Sequence, residues 1–398
     1  MTATADTRQS PAFRHDPVKS VLPGPTAQVL WDREPIVCGY RRLSHRTSTG
    51  VDIAVPVSST PAVVGAAGVV VGSYDGRIRL YAHDFADVRW EHRLAAPVYA
   101  SLMVDRMRST VLAAAVDGTV ICVGLDGDVV WRTRVDASIY ATPTVLPDAD
   151  LLVIAGFGSR CAGLDLVTGE EAFAVSLPRP WHANVGGSAA VRDPYASPLA
   201  LPGGDFVVGC AEHALRLTAT GKQVWLRDIG HSVRASPAFA AVTKEVVVCT
   251  VDGQCRFLDV EDGRETGTVV LDGKVIGSPA VSGGVLAVST QCGSALGVDL
   301  ARHDIAWATG RGATRDHTSF TVLPNGDFAF TSENGDVVAR SRADGRFLWE
   351  TSQLLGLTNH DPALDTTPVA APDGSMYCGS YSGVLYRFRF RPAPAGRP

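Results

Sequence analysis

A chain of 398 residues, 45% hydrophobic and 19% charged, has ample material for a large buried core and is not a disordered polymer. Its formal net charge of −5 and pI of about 6.1 give no broad basic field, so neither nucleic acid nor an anionic membrane surface is expected as a partner. No apolar stretch is long enough to cross a bilayer as a helix, and the opening MTATADTRQSPAFRHDPVKSVLPGP lacks an apolar core, so the expectation is a soluble, cytoplasmic protein.

In chain order, residues 1–26 read as a flexible, proline-containing tail. AQVLWDRE (27–34) follows, with Trp31, and then a long connection, 35–57. From there one pattern recurs: an apolar run, a glycine turn, a second apolar run, another turn, a tryptophan. VVVGSYDGRIRLYA (69–82) returns as VLAAAVDGTVICVGL (111–125), VVVCTVDGQCRFL (246–258) and MYCGSYSGVLYRF (376–388). Asp-Gly between β-rich runs predicts hairpins, with a type I′ turn as the expected geometry.

The aromatic that ends each unit sets the period. Trp90 to Trp131 is 41 residues, Trp131 to Phe173 is 42, Trp225 to Trp307 is 82 and Trp307 to Trp349 is 42. Each unit opens on a small-residue motif: SSTP (58–61), YASL (99–102), YATP (140–143), YASP (195–198), RASP (234–237), IGSP (276–279), DHTS (316–319) and DTTP (365–368). Eight openings at a spacing near 40 predict an all-β, eight-bladed propeller of four-stranded antiparallel blades. The last unit lacks its outer strand, so the N-terminal strand is expected to supply it and close the ring. The domain reading is one propeller over 27–391, with 27–34 completing the last blade and 392–398 a tail.

The repeat resembles the PQQ-type propeller repeat, which builds quinoprotein alcohol dehydrogenases and the propeller lipoprotein of the outer-membrane assembly machine. The resemblance covers nearly the whole chain. It implies the fold; function has to be argued from a site. For the dehydrogenases it implies a quinone held under a vicinal disulfide, over a tryptophan floor, with calcium. This sequence has no adjacent cysteine pair, and six of its seven tryptophans are taken as blade-docking residues, leaving only Trp181. The expectation is therefore no cofactor, pyrroloquinoline quinone included. The eight cysteines form no CxxC pair and are expected as thiols, with Cys249 and Cys255 spaced so that a hairpin could bring them diagonally across from each other. A metal-dependent reading, with ligands from His182, His231, His317 and His360, is the weakest; no metal is expected.

The candidate site lies at one mouth of the axial channel. The residue opening each innermost strand gives, around the ring, Ser58, Tyr99, Tyr140, Tyr195, Arg234, Ile276, Asp316 and Asp365, with His317 beside Asp316. Turns between second and third strands add Tyr74, Asp75, Phe157, Glu212, His213, Glu333, Asn334 and Tyr381. Connections 35–57, 178–194 (with Trp181 and His182) and 354–365 (with His360) are long enough to act as lids. An aromatic arc facing mixed charges suits a small organic metabolite. The leading expectation is a cofactor-independent acid/base enzyme, of lyase, isomerase, cyclase or hydrolase class. Asp316, His317 and Asp365 would be catalytic; Tyr99, Tyr140, Tyr195, Arg234, Trp181, His182 and His360 would bind substrate. The alternative is a non-catalytic scaffold for a protein partner, using 35–57 and the tail.

Overall fold

The computed structural model describes residues 35–46, 49–180, 193–310, 312–315, 318–371 and 375–390. They form eight four-stranded antiparallel sheets and one two-stranded sheet, with a single short α-helix, Thr351–Leu355, among the described residues. The propeller expectation is met. Blade 1 runs Ala62–Val64, Gly68–Gly72, Arg77–Tyr81 and Val88–Arg93, and blades 2 to 7 repeat that order.

Burial explains why the repeat reads as it does. Second strands are sandwiched between neighbouring blades and are almost wholly buried, as in Gly68–Gly72 and Glu245–Cys249. They are therefore continuous apolar runs. Outer strands bury little besides the tryptophan; Val88–Arg93 and Val129–Arg134 are exposed or half-exposed except at Trp90 and Trp131.

The hairpin turns differ from the expected type I′. Among the described residues Asp75, Asp117 and Asp252 do not take positive φ, whereas Gly76, Gly118 and Gly253 do (75°, 88° and 89°). Gly76 N–H donates to the Ser73 carbonyl and Ser73 N–H to the Arg77 carbonyl (both 3.1 Å). This is a type I turn followed by a left-handed glycine, a three-residue loop. One more residue therefore projects from the tip than a two-residue turn would offer.

Two rings of contacts lock the blades together. In the outer one, an indole N–H donates to a carbonyl 35 residues ahead, in the next blade: Trp90 to Leu125 (3.1 Å), Trp131 to Leu166 (2.9 Å), Trp225 to Val260 (3.0 Å) and Trp307 to Arg342 (2.9 Å). The indole face lies on a turn glycine of that next blade. A Cβ at Gly263 would stand 2.6 Å from the Trp225 ring, and its φ is +70°. Gly263→Ala should therefore destabilise the protein by at least about 1–2 kcal/mol from the left-handed backbone alone, read as a lower urea midpoint. An unchanged midpoint would show that the turn yields freely.

In the inner ring, a backbone N–H of six of the eight opening motifs donates to the hydroxyl of the next: Thr60 to Ser101, Ser101 to Thr142, Thr142 to Ser197, Ser197 to Ser236, Ser236 to Ser278 and Ser278 to Ser319, at 3.0–3.2 Å. This is why the motif's third position is Ser or Thr. It also corrects one register. Ser319, not Thr318, takes that position in blade 7, so the sequence counterpart of Tyr99 is His317 rather than Asp316. The opening DHTS was aligned one residue early because blade 7 has Phe320 where most blades carry proline.

The ring closes through the N-terminal strand. Pro35–Arg42 pairs antiparallel with Val384–Phe390 and completes the blade of Val369–Ala370 and Ser375–Gly379. The closing strand thus occupies part of the expected lid 35–57; segment 27–34, with Trp31, lies outside the described residues. At the place of the docking tryptophan this strand has Gly39, paired with Arg387. Gly267 holds the same place in blade 5, paired with Phe257, and the His303 ring fills the space by stacking on Phe257 at 4.0 Å. Gly267 is the marker missing from the 82-residue interval between Trp225 and Trp307.

Candidate functional site

A cavity of 580 Å³ sits on the propeller axis. Seven of the eight ring positions read from the sequence line it: Ser58, Tyr99, Tyr140, Tyr195, Arg234, Ile276 and Asp365. Asp316, His317, Trp181 and His182 lie outside the described residues. A repeated backbone device brings the ring residues to the mouth. The N–H at the tip of the second hairpin turn donates to a carbonyl two residues before the ring position. Tyr74 donates to Pro56, Val116 to Pro97, Phe157 to Ser138, Val251 to Ser232 and Gln291 to Lys274 (2.8–3.2 Å). The turn tip and the ring residue of one blade thus arrive together, which puts Tyr74 and Tyr381 in the lining as well.

On one arc the aromatics touch in sequence. Tyr74 meets Tyr99 edge-on (6.2 Å between centroids), Tyr99 meets Tyr140 (5.3 Å), Tyr140 stacks on Phe157 (4.6 Å), and Phe157 meets Tyr195 edge-on (4.9 Å). The Arg234 guanidinium lies 4.9 Å over the Tyr195 ring. Burial pushes the Tyr74 phenol above its ordinary value, and the neighbouring phenols of Tyr99 and Tyr140 add to the shift. That phenol stays neutral at physiological pH and offers a hydroxyl, not a base.

The opposite arc is tied up in its own contacts. Asp365 forms an ion pair with Arg315. Its other oxygen accepts the Tyr381 N–H (2.7 Å) and the Ser380 hydroxyl (3.2 Å). In blade 8 this carboxylate takes the turn-tip N–H that a connection carbonyl takes in blades 1, 2, 3, 5 and 6. Arg315 also donates from Nε to the Ser332 carbonyl (3.1 Å). Arg234 thus stacks on Tyr195, while Asp365 is a structural pin. Arg315 was missed in the sequence reading. Its signal was its place, two residues before the ring position, where other blades put Pro56, Pro97 or Ser138.

His360 does not line the cavity. It is buried, with Nδ1 3.0 Å from the Pro362 carbonyl and its ring edge-on to Tyr386 (4.9 Å between centroids). Helix Thr351–Leu355 leads into that loop, which packs on blade 8 and does not hang over the mouth as a lid. His231 lies 3.2 Å from the Asp252 carboxylate. Among the described residues no three His, Cys, Asp or Glu side chains are grouped to hold a metal, and no tryptophan or cysteine lines the cavity. The described lining does not fit the quinone and calcium set that the PQQ-type resemblance implies.

A second feature sits beside the mouth. The two-stranded sheet of Ser44–Arg46 and Asp52–Ala54 is additional to the eight blades. Its base is hydrogen-bonded into the rim: Leu43 N–H to Gly383 (2.7 Å) and Val57 N–H to Ser380 (3.1 Å), while Tyr74 N–H reaches Pro56. It therefore stands between the turns that carry Tyr74 and Tyr381. Val51, Ile53, Tyr74, Tyr99 and Tyr381 are all exposed; Val51 is 57% and Ile53 48% accessible. Sequence reading gave 35–57 as a loop because this hairpin has no apolar alternation of the blade type.

These features define a closed repeat propeller with an aromatic, solvent-facing rim and a plugged polar arc. The chain belongs to the family described as outer membrane protein assembly factor BamB, matched over residues 22–212 and 211–393. The outer membrane protein assembly factor BamB of Yersinia pestis is 28% identical over 188 residues, 42% of this chain and 46% of that protein. The chain thus spans about half the length of this curated relative. Among solved structures, BamB from Moraxella catarrhalis has a TM-score of 0.68 at 16% identity, covering 88% of this chain and 100% of that one. Quinohemoprotein alcohol dehydrogenase from Comamonas testosteroni has a TM-score of 0.68 at 14% identity, covering 97% and 82%. At these identities the solved structures establish the fold alone.

Two expectations are overturned by the family match. The small-metabolite acid/base enzyme of lyase, isomerase, cyclase or hydrolase class finds no counterpart in a family described as an assembly factor, and Asp365 is held in an ion pair with Arg315 and by the Tyr381 N–H. The cytoplasmic location does not agree with a family described by the outer membrane. That expectation rested on the lack of a bilayer-spanning apolar stretch and of an apolar core in the opening segment, and neither fixes a compartment.

Proposed function

We propose that this chain is a non-catalytic protein-interaction scaffold of the cell envelope. It holds a partner protein at the rim around the Ser44–Ala54 hairpin. The observation that carries the reading is the exposed apolar group of Val51, Ile53, Tyr74, Tyr99 and Tyr381 on a rigid ring. Exposed aromatics on a fixed scaffold are the usual anchors of protein interfaces, because they bury large area at little cost in side-chain entropy. The ion-paired arc of Arg315 and Asp365 serves rigidity, which lowers the ordering cost of docking. The family's description as an outer membrane assembly factor supports both the scaffold role and the envelope. The reading requires no cofactor, metal or small metabolite.

The test is affinity purification of the full chain from detergent-solubilised envelopes of its own host, with a photo-cross-linking residue at position 53. A protein partner should be joined at that position. The double substitution Val51→Glu and Ile53→Glu should lower its recovery at least about tenfold, a loss of about 1.4 kcal/mol of binding free energy. Equal recovery with both glutamates, or a chain that fractionates wholly with the cytosol, would remove the proposal.

A further inference from the structure

Blade 5 contains two cysteines placed by register and not by proximity in a loop. Cys249 ends the strand Glu245–Cys249 and Cys255 is the second residue of Gln254–Asp259; the two are direct antiparallel partners. Thr250 N–H donates to the Gln254 carbonyl (2.9 Å) and closes the turn. Because hydrogen-bonded and non-hydrogen-bonded pairs alternate along such a ladder, the next pair out, Cys249 and Cys255, is of the non-hydrogen-bonded kind. Its Cα atoms lie about 4.5 Å apart in regular sheets, and disulfides span Cα separations of about 4.4–6.8 Å. The two Sγ atoms stand 3.0 Å apart. Both residues are fully buried between blades 5 and 6, among Val247, Phe257, Val288 and Leu296.

Three of the other described cysteines donate to backbone carbonyls. Cys210 donates to the Pro178 carbonyl (3.4 Å), Cys292 to Asp272 (3.1 Å) and Cys378 to Thr366 (3.1 Å). Burial pushes the thiols of Cys210 and Cys378 up to about 12, which keeps them protonated and unreactive.

We propose that Cys249 and Cys255 are a dithiol–disulfide pair that the fold of blade 5 drives to a cross-strand disulfide, by exchange with a small disulfide such as oxidised glutathione. One cysteine thiolate attacks a glutathione sulfur; a protein–glutathione disulfide forms and the first glutathione leaves as a thiol with the released proton. The second cysteine thiolate then attacks the protein sulfur of that mixed disulfide and expels the second glutathione. In sum, two protein S–H bonds and one glutathione S–S bond become one protein S–S bond and two glutathione S–H bonds. The hydrogen bond with Cys249, together with burial, holds the Cys255 thiol well above its ordinary value. Exchange therefore proceeds as the hairpin opens or while the chain folds, and the closed blade then seals the product from reductant. The inference is independent of the docking rim.

The experiment refolds the full chain in glutathione buffers of graded oxidised-to-reduced ratio. It then denatures in acid, alkylates with N-ethylmaleimide and maps the peptides by mass. In oxidising buffer the wild type should take up six maleimides on its eight cysteines, and the peptide holding 249–255 should be lighter by about 2 Da, the two hydrogens lost. Cys249→Ser and Cys255→Ser should each lack this internal bond. The same mapping of the chain held in urea gives the reference. The disulfide should survive in the folded protein at a reductant ratio at least about tenfold above that which breaks it in urea, the linkage expected if folding favours the bond. Eight maleimides after oxidising refolding, a bond mapped to other cysteines, or equal resistance in both states would overturn the proposal.

Discussion

Trp225→Ala should cost about 3–5 kcal/mol of unfolding free energy, the range for truncating a large buried aromatic, with the native strand content preserved below the transition. Trp225 projects from the outer strand Gln223–Asp228 of blade 4 and is 5% exposed. Its ring covers Gly263 of blade 5, and its N–H reaches the Val260 carbonyl at 3.0 Å. The alanine variant opens a void at the seam between two blades, and no side chain on the glycine side can collapse into it. Trp225→Phe keeps most of the apolar area and loses the hydrogen bond, so it should cost only about 1 kcal/mol on that account. Urea midpoints of the three proteins check the order. If the alanine variant is no less stable than Val270→Ala, a truncation at a 70% exposed position of blade 5, then the indole latch contributes nothing to holding the ring.

The same latch explains what was legible in the sequence. A tryptophan that must meet a glycine of the next blade 35 residues ahead leaves a period visible without coordinates. The Ser/Thr of the opening motif is visible for the same reason, since each hydroxyl accepts an N–H from the preceding blade. The ring positions followed from that motif, so Tyr99, Tyr140, Tyr195 and Arg234 fall where expected. What was not legible is where one blade substitutes another solution. Blade 5 fills the tryptophan place with His303 against Phe257. Blade 8 pins its turn with a carboxylate instead of a carbonyl. The closing strand pairs at Pro35–Arg42 with Gly39 in the tryptophan's register place, so a search for tryptophan pointed upstream to Trp31. Composition and charge patterns at Asp365 looked catalytic because an aspartate near an axial mouth reads the same whether it moves a proton or holds a turn.

Asp365→Ala should lower stability by about 3–5 kcal/mol, the cost of leaving one partner of a buried ion pair uncompensated. The Asp365 side chain is 7% exposed and that of Arg315 19%, so the guanidinium cannot turn to water without leaving the Ser332 carbonyl. The turn loses an acceptor too, because the Tyr381 N–H donates to this carboxylate at 2.7 Å. Asp365→Asn retains an oxygen for that N–H but not the charge, and should be milder. Arg315→Met removes the stranded charge, so the double variant Asp365→Asn with Arg315→Met should be more stable than the sum of the single losses implies, by a coupling of about 0.5–3 kcal/mol. Additive losses would mean the two side chains act separately and the pin is not a unit. Coupled losses, with partner recovery falling only as far as the folded fraction falls, would assign the axial charges to keeping the rim rigid. The Val51→Glu and Ile53→Glu protein should behave in the opposite way, stable yet without its partner, because those residues are 57% and 48% accessible and lie outside the buried core.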